Sequence, residues 1–478
     1  MKINNIQPYD IVIFGAKGDL SCRKLIPALY NLEKKNLLCK NSRIIGIGRA
    51  NWNQNKYTEI VLKSLNIFYK NTIDINIWNN FKEKLYFYKL DVTQTEKFFN
   101  LKNILLTSSN TKIYYFAVPP NKFNNICIGL GTIQYNKPPN KIIVEKPIGT
   151  SLQSSKNIHH TLNTYFKEDQ IYRIDHYLGK ETILNLLTLR FSNPIFYNIW
   201  NNKNIEYVKI SVSETVGVEN RWNYFDEIGQ TRDMVQNHLL QILSLITMSI
   251  PKQLNSKNIK KKKIQVLKSL RKINTTNIYQ NTIRGQYTSG VIDGKIVPAY
   301  IEEKGAKKNS DIETFVLIQA NIDNEQWFGV PFYLKTGKRL DCKKTEIIIQ
   351  LKNITHSVFN HHIKNDYQNQ IKIRIEPNEG IEINFCNKKP DINSKYKLKN
   401  SILKFDYRDI IQDEIPDAYE RLLFESMKND QSLFVSKEEI ETSWEWIDSI
   451  IHAWQSNKIK VQLYKAGTKG LNLRKNIS

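Results

Sequence analysis

The chain has 478 residues, 41% of them hydrophobic, and a formal net charge of +24, so it is too long for one ordinary core and apolar enough for about two domains. No stretch approaches the ~20 uninterrupted apolar residues of a membrane span, and the polar residues 1–8 carry no apolar run or small-residue cleavage site, which points to a soluble cytoplasmic chain. The charge alone would fit a polyanion such as nucleic acid, but Lys is spread along the whole chain beside an excess of Asn, Ile and Tyr, and the one sharp run, residues 260–263, reads as a solvated helix face.

Residues 9–14 form a short apolar run that ends in Gly15, Ala16, Lys17, Gly18, Asp19 and Leu20. Leu25, Ile26, Ala28, Leu29 and Leu32 then recur at helical spacing, giving strand, glycine turn and helix. Such a turn brings backbone N–H groups at a helix start close to a pyrophosphate. Pro27 breaks the smooth pattern and predicts a kink or a late helix start. A second strand over residues 43–48 ends in Arg49, where an NAD-specific domain would carry an acid for the ribose hydroxyls; an Arg favours a 2′-phosphate and so NADP+. Further strands fall at residues 85–90, ending in Asp91 and Val92, at 112–117 and at 141–144, the last followed by Glu145-Lys146-Pro147. With a helix over residues 151–166, this alternation predicts an α/β, Rossmann-like dinucleotide-binding domain over residues 1–175.

Residues 171–174 read as a buried strand and 182–191 as a helix, and between them Asp175, His176, Tyr177 and Lys180 crowd into one short junction. An ammonium and an imidazole beyond a strand's carboxyl end suit an anionic group such as a phosphate. After Glu181 the alternation stops. A strand over 207–214, one long helix over 225–248 carrying Asp233, Asn237 and His238, and strand-like runs at 314–322, 330–335, 346–351, 371–375 and 381–385 follow. Two helices, at 417–429 and 437–457, close the chain before a low-complexity tail after Gly470. This pattern predicts an α+β domain over residues 176–478 with a large, mainly antiparallel sheet. The five cysteines, Cys22, Cys39, Cys127, Cys342 and Cys386, lack zinc or disulfide spacing and read as reduced thiols, with no metal expected.

Together, GAKGDLSCRKLIPALYNL, the EKP at Glu145, RIDHYLGKE at Arg173, RDMVQNHLLQ at Arg232 and VPFYLKTGKRL at Val330 resemble glucose-6-phosphate dehydrogenase over nearly the whole chain. The resemblance implies oxidation of glucose 6-phosphate at C1 by NADP+ to 6-phosphoglucono-1,5-lactone, the entry step of the oxidative pentose phosphate pathway. It implies His238 as general base and Asp175 as the carboxylate that orients it. It gives His176, Tyr177 and Lys180 to the substrate phosphate, Lys338 and Lys343 to further substrate contacts, and Glu214 and Asp233 to sugar hydroxyls. On the cofactor side it gives the turn from Gly15 to Leu20, with Arg49 at the 2′-phosphate, Asp91 and Val92 near the dinucleotide, and Lys146 between cofactor and substrate. A homodimer or tetramer built on the large sheet is also implied. Many members carry Ser or Thr where Lys17 stands, and a Lys adds positive charge beside the cofactor's phosphates. The rival readings are another NADP-dependent sugar dehydrogenase, which would not need the phosphate cluster, and a basic nucleic-acid-binding protein, which leaves RIDHYLGKE unexplained.

Overall fold

The computed structural model describes residues 7–354, 369–392, 397–410 and 415–473; most of the polar N-terminal stretch and the end of the low-complexity tail lie outside them. The chain divides into two compact units: one of Met1–Lys180, Gln253–Lys260 and Pro416–Glu441, the other of Glu181–Lys252, Lys261–Ile415 and Thr442–Ser478. The first unit therefore reaches five residues beyond the boundary read from the sequence (180 against 175) and recruits two later segments. Contacts explain one of them. The helix Ala418–Met427 packs on the turn at His176–Gly179 and on the helix Ile26–Lys34, and the short strand Phe434–Val435 pairs antiparallel with the strand Ile171–Ile174.

In the first unit, β1 (Tyr9–Phe14), β2 (Arg43–Gly48), β3 (Leu85–Lys89), β4 (Thr111–Phe116), β5 (Lys141–Val144) and β6 (Ile171–Ile174) form a parallel sheet. Its order among the described residues is Phe434–Val435, β6, β5, β4, β1, β2, β3, so the direction of winding reverses between β1 and β4. All six residues of β1 are buried, as parallel strands covered on both faces must be. One of them is Asp10, whose charge is held by Arg43 on β2 and Lys112 on β4; Arg43 Nε donates at 2.9 Å and Lys112 Nζ lies 3.1 Å away. A buried charge survives only with such partners, and these two fix three strands at their N-terminal ends. The awkward Pro27 resolves as expected. A π-helical turn over Ser21–Leu25 leads into the α-helix Ile26–Lys34, where Pro27 lies in the first turn and needs no N–H partner.

The second unit is built on a sheet of β7 (Ile205–Ser213), β8 (Thr282–Thr288), β11 (Phe315–Asn321), β12 (Pro331–Gly337), β13 (Lys344–Leu351), β14 (Gln370–Glu376), β15 (Gly380–Lys388), β16 (Leu398–Asp406) and the strand Gln462–Lys465; a separate hairpin joins β9 (Gly290–Ile292) to β10 (Lys295–Val297). The order is β16, β15, β14, β13, β7, β12, β11, β8, Gln462–Lys465. Pairing is antiparallel except for β7 with β12 and β8 with the last strand. Two readings from the sequence need correction. The long helix of residues 225–248 is broken: Trp222–Gln230 ends with Gly229 at φ +72°, a π-helix runs over Thr231–Leu239, and an α-helix follows over Leu240–Thr247. In the basic run Lys263 is buried, because it shares the inward face of the helix Ser256–Lys268 with Ile259, Val266 and Leu267.

Candidate active site

In the first unit every expected cofactor residue stands beyond the carboxyl end of a parallel strand. Gly15 and Ala16 both donate their backbone N–H to Ile47 O at 3.0 Å, and Gly18 N donates to Gly15 O at 2.9 Å, so the turn folds back over β2. Gly15 sits at φ +96°, and a Cβ there would lie 2.3 Å from Ala117 O at the end of β4. Only glycine fits, because the turn crosses the sheet where the winding reverses, the place at which such sheets receive dinucleotides. The Lys17 ammonium lies 5.9 Å from the Trp52 ring centroid. Arg49 follows β2 and is exposed, and Asp91 and Val92 follow β3. Two hydrogen bonds from Thr93, through its backbone and its hydroxyl, hold the Asp91 carboxyl below the usual range, with Arg49 and Lys122 adding to them. An open glycine turn with cations beside it fits the phosphates of NADP+.

The RIDHYLGKE motif closes the same rim. β6 ends at Ile174, and Asp175 caps a 3₁₀ turn over His176–Gly179, accepting from Tyr177 N at 3.0 Å. The cap explains why an acid stands there locally, and the helix Glu181–Ser192 follows as expected. The His176 and Tyr177 rings lie 5.1 Å apart, and Lys180 Nζ sits 4.3 Å from the Tyr177 centroid. Imidazole, phenol and ammonium are thus gathered by one tight turn. Lys146 follows β5, and the Lys146–Pro147 bond is cis.

The second unit carries the other expected residues. Because β7 and β12 run parallel with Ser213 opposite Gly337, Glu214 and Lys338 emerge side by side at their carboxyl ends. Lys338 Nζ donates to Glu214 Oε2 at 2.7 Å; the lysine is buried and its partner is about a quarter exposed, at 28%. Lys343 lies outside this pair, solvent-exposed, with Nζ 2.7 Å from Glu376 Oε1. Asp233 and His238 sit on the π-helix, where His238 is buried. Burial and the nearby Asp233 charge push the Tyr224 phenol up to about 12. Single π-helical stretches inside α-helices recur at functional sites.

Three supporting residues escaped the sequence reading. Gln230, the residue just before the π-helix, donates through Nε2 to Thr336 Oγ1 at 2.8 Å, tying the start of that helix to β12 two residues before Lys338. Buried Glu313 accepts from Thr231 N at 3.2 Å and pairs with Arg284 at 3.2 Å, filling the break at Gly229. Glu145 is buried behind Lys146. Gly229-Gln230 inside a helical pattern was the one available signal, since an unbroken helix period gives no reason for glycine there; Glu313 lies 82 residues from its Thr231 partner and offers none.

A winding-reversal glycine turn with a following arginine, joined in one chain to a buried helix histidine and a phenol-ammonium cluster, defines a dinucleotide-dependent oxidoreductase. The profile described as "Glucose-6-phosphate dehydrogenase, NAD binding domain" matches residues 12–185, and that described as "Glucose-6-phosphate dehydrogenase, C-terminal domain" matches residues 187–477. The chain belongs to the glucose-6-phosphate dehydrogenase family. It is 53% identical to the glucose-6-phosphate 1-dehydrogenase of Buchnera aphidicola subsp. Schizaphis graminum, covering 98% of this chain and 96% of that one. The Dickeya dadantii enzyme of the same name is 48% identical, with 97% and 95% covered. A solved glucose-6-phosphate dehydrogenase in complex with its substrate glucose 6-phosphate superposes with a TM-score of 0.88 at 32% identity, over 98% of this chain and 96% of that one.

Proposed function

We propose a division of labour among these residues for the oxidation of glucose 6-phosphate by NADP+, the activity of the family to which the chain belongs. His238 takes the proton of the C1 hydroxyl as general base, and Asp175 fixes its tautomer and stabilises the imidazolium that results. Lys180, His176 and Tyr177 hold the phosphate, with Lys343 as an exposed second cation. Glu214 and Asp233 accept from sugar hydroxyls, and Lys338 holds the Glu214 carboxylate in place. The turn from Gly15 to Leu20, Lys17, Arg49, Asp91 and Val92 hold the dinucleotide, and Lys146 stands between it and the sugar. Bound NADP+ supplies the hydride acceptor; the chain supplies position, charge and the base. The observation that supports the reading is the turn at His176–Gly179, which gathers imidazole, phenol and ammonium, groups suited to an anionic phosphate.

Self-association through the large sheet belongs to the same reading, supported by exposed Ile402 and Leu403 on the edge strand β16. The decisive assay is NADP+ reduction by the purified protein. It should proceed with glucose 6-phosphate and be negligible with glucose, and equal rates with both sugars would return the assignment to a dehydrogenase of unphosphorylated sugars.

A further inference from the structure

Glu145 follows β5 directly, one residue before Lys146, and is buried, yet the reaction gives it no task. Its Oε1 accepts from the Tyr115 hydroxyl on β4 at 2.5 Å, and the Tyr419 phenol stands close enough to the same carboxylate to lower its pKa. Tyr419 is itself held: it is the second residue of the helix Ala418–Met427, and its backbone N–H donates to the capping Asp417 side chain at 2.9 Å. The Tyr419 ring stacks on His176, with centroids 6.0 Å apart and planes 18° from parallel. His176 leads on to Tyr177 and Lys180. An unbroken line of contacts therefore runs within the first unit from the Lys146 loop through a buried carboxylate and an aromatic stack to the expected phosphate turn.

We propose that Glu145 is a positioning residue that, through Tyr419, holds the turn bearing His176, Tyr177 and Lys180 in register with the loop bearing Lys146. The proposal rests on the assignment of that turn to the substrate phosphate. A carboxylate suits the task because it accepts two O–H donors at once, whereas a carboxamide offers one oxygen and presents an N–H₂ to the second phenol. Burial makes the group expensive, pushing its pKa up to about 6 against the lowering effect of the Tyr115 bond and the nearby Lys146. An apolar side chain would fill the strand end without that cost but would leave two buried phenols without an acceptor.

The test compares Glu145→Gln, Tyr419→Phe, their double variant and Lys180→Ala by calorimetric titration with glucose 6-phosphate, alongside thermal melting. Tyr419→Phe keeps the ring on His176 and deletes only the hydroxyl, so it carries the test even where Glu145→Gln fails to fold. Each of the two variants should weaken glucose 6-phosphate roughly 3- to 10-fold, the worth of one buried hydrogen bond. The double variant should be no weaker than the worse single one, because both cut the same link. A merely structural role would lower the melting temperature and leave binding at the parent value. Parental binding in Tyr419→Phe and Glu145→Gln beside weakened Lys180→Ala would overturn the proposal and leave the phosphate assignment standing. Parental binding in Lys180→Ala would remove that assignment and the proposal with it.

Discussion

Arg49 leaves the end of β2 with its side chain exposed and its charge acting on Asp91, which leaves it available for a 2′-phosphate and of little use to the core. Arg49→Ala should therefore raise the Michaelis constant for NADP+ and spare that for NAD+, with a loss of about 2 kcal/mol as for other hydrogen bonds to charged groups. Equal losses with both cofactors would give the residue a structural role only. At His238 the expected change is in turnover. His238→Asn keeps size and some hydrogen bonding but takes no proton, so kcat should fall by about 10²–10⁴-fold while the Michaelis constant for glucose 6-phosphate moves little. Asp175→Asn should also slow turnover, and the double variant should lose far less than the product of the two. Near-normal kcat in folded His238→Asn would send the base to another group. Asp175 and His238 were readable as candidates because each lies inside a short motif dense in polar groups, and Arg49 because it follows a strand of the glycine-turn domain. The residues behind the His176 turn were not: Tyr419 is 274 residues from Glu145, and only folding brings them together.

The π-helix Thr231–Leu239 shows how an element carries chemistry that its sequence hides. Apolar residues keep helical spacing on both sides of Gly229, so periodicity alone reads one continuous helix; the break comes from a positive φ and from Glu313, which occupies the space where a side chain would be. A Cβ on residue 229 would sit 2.7 Å from Glu313 Oε1, and Arg284 and Thr231 restrain that carboxylate from moving aside. Gly229→Ala should thus destabilise the protein by about 1–3 kcal/mol and lower kcat by displacing the segment that bears Asp233 and His238. An unfolding free energy and kcat both at parent values would show that the junction relaxes freely. Strands β8 and β16 were missed for another reason, since TIRGQYT and LKNSILKFD lack an apolar run and gain their strand form from neighbours already in place. Glu145 offers a pH test at the end of β5. Its folded pKa, about 6, lies above its ordinary value of 4.5, so the folded state holds the proton more tightly. The resulting stabilisation is present below pH 4.5 and lost as pH rises through 6, an amount of about 2 kcal/mol. Melting Glu145→Gln and parent side by side should therefore show the variant gaining on the parent from pH 5 to pH 8. A pH-independent difference would mean that folding does not perturb this carboxyl.

At the scale of the molecule, the first unit is not one continuous stretch of chain, because helix Ala418–Met427 packs on the turn at His176–Gly179 and strand Phe434–Val435 pairs with β6. Among the described residues the sheet of the second unit ends at β16, the side proposed above for self-association. β16 pairs with β15 along its whole length, while its other edge carries the N–H and C=O groups of an outermost strand. Proteins usually shield such an edge with charge, proline or a short strand. Here the strand is nine residues long, and Ile402 and Leu403 are 61% and 60% exposed on its opposite faces. Its lysines, Lys399 and Lys404, would repel a casual partner yet leave this apolar pair uncovered. If the chain associates through this side of the large sheet, Ile402→Lys places an ammonium where an apolar contact forms, and the desolvation of that charge should weaken association by at least roughly tenfold. Sedimentation equilibrium across a dilution series should then show the parent at twice the chain mass and the variant shifting to the single-chain mass at higher concentration. A parent that stays at the single-chain mass throughout, or a variant that dissociates with the parent's constant, would place assembly elsewhere or remove it.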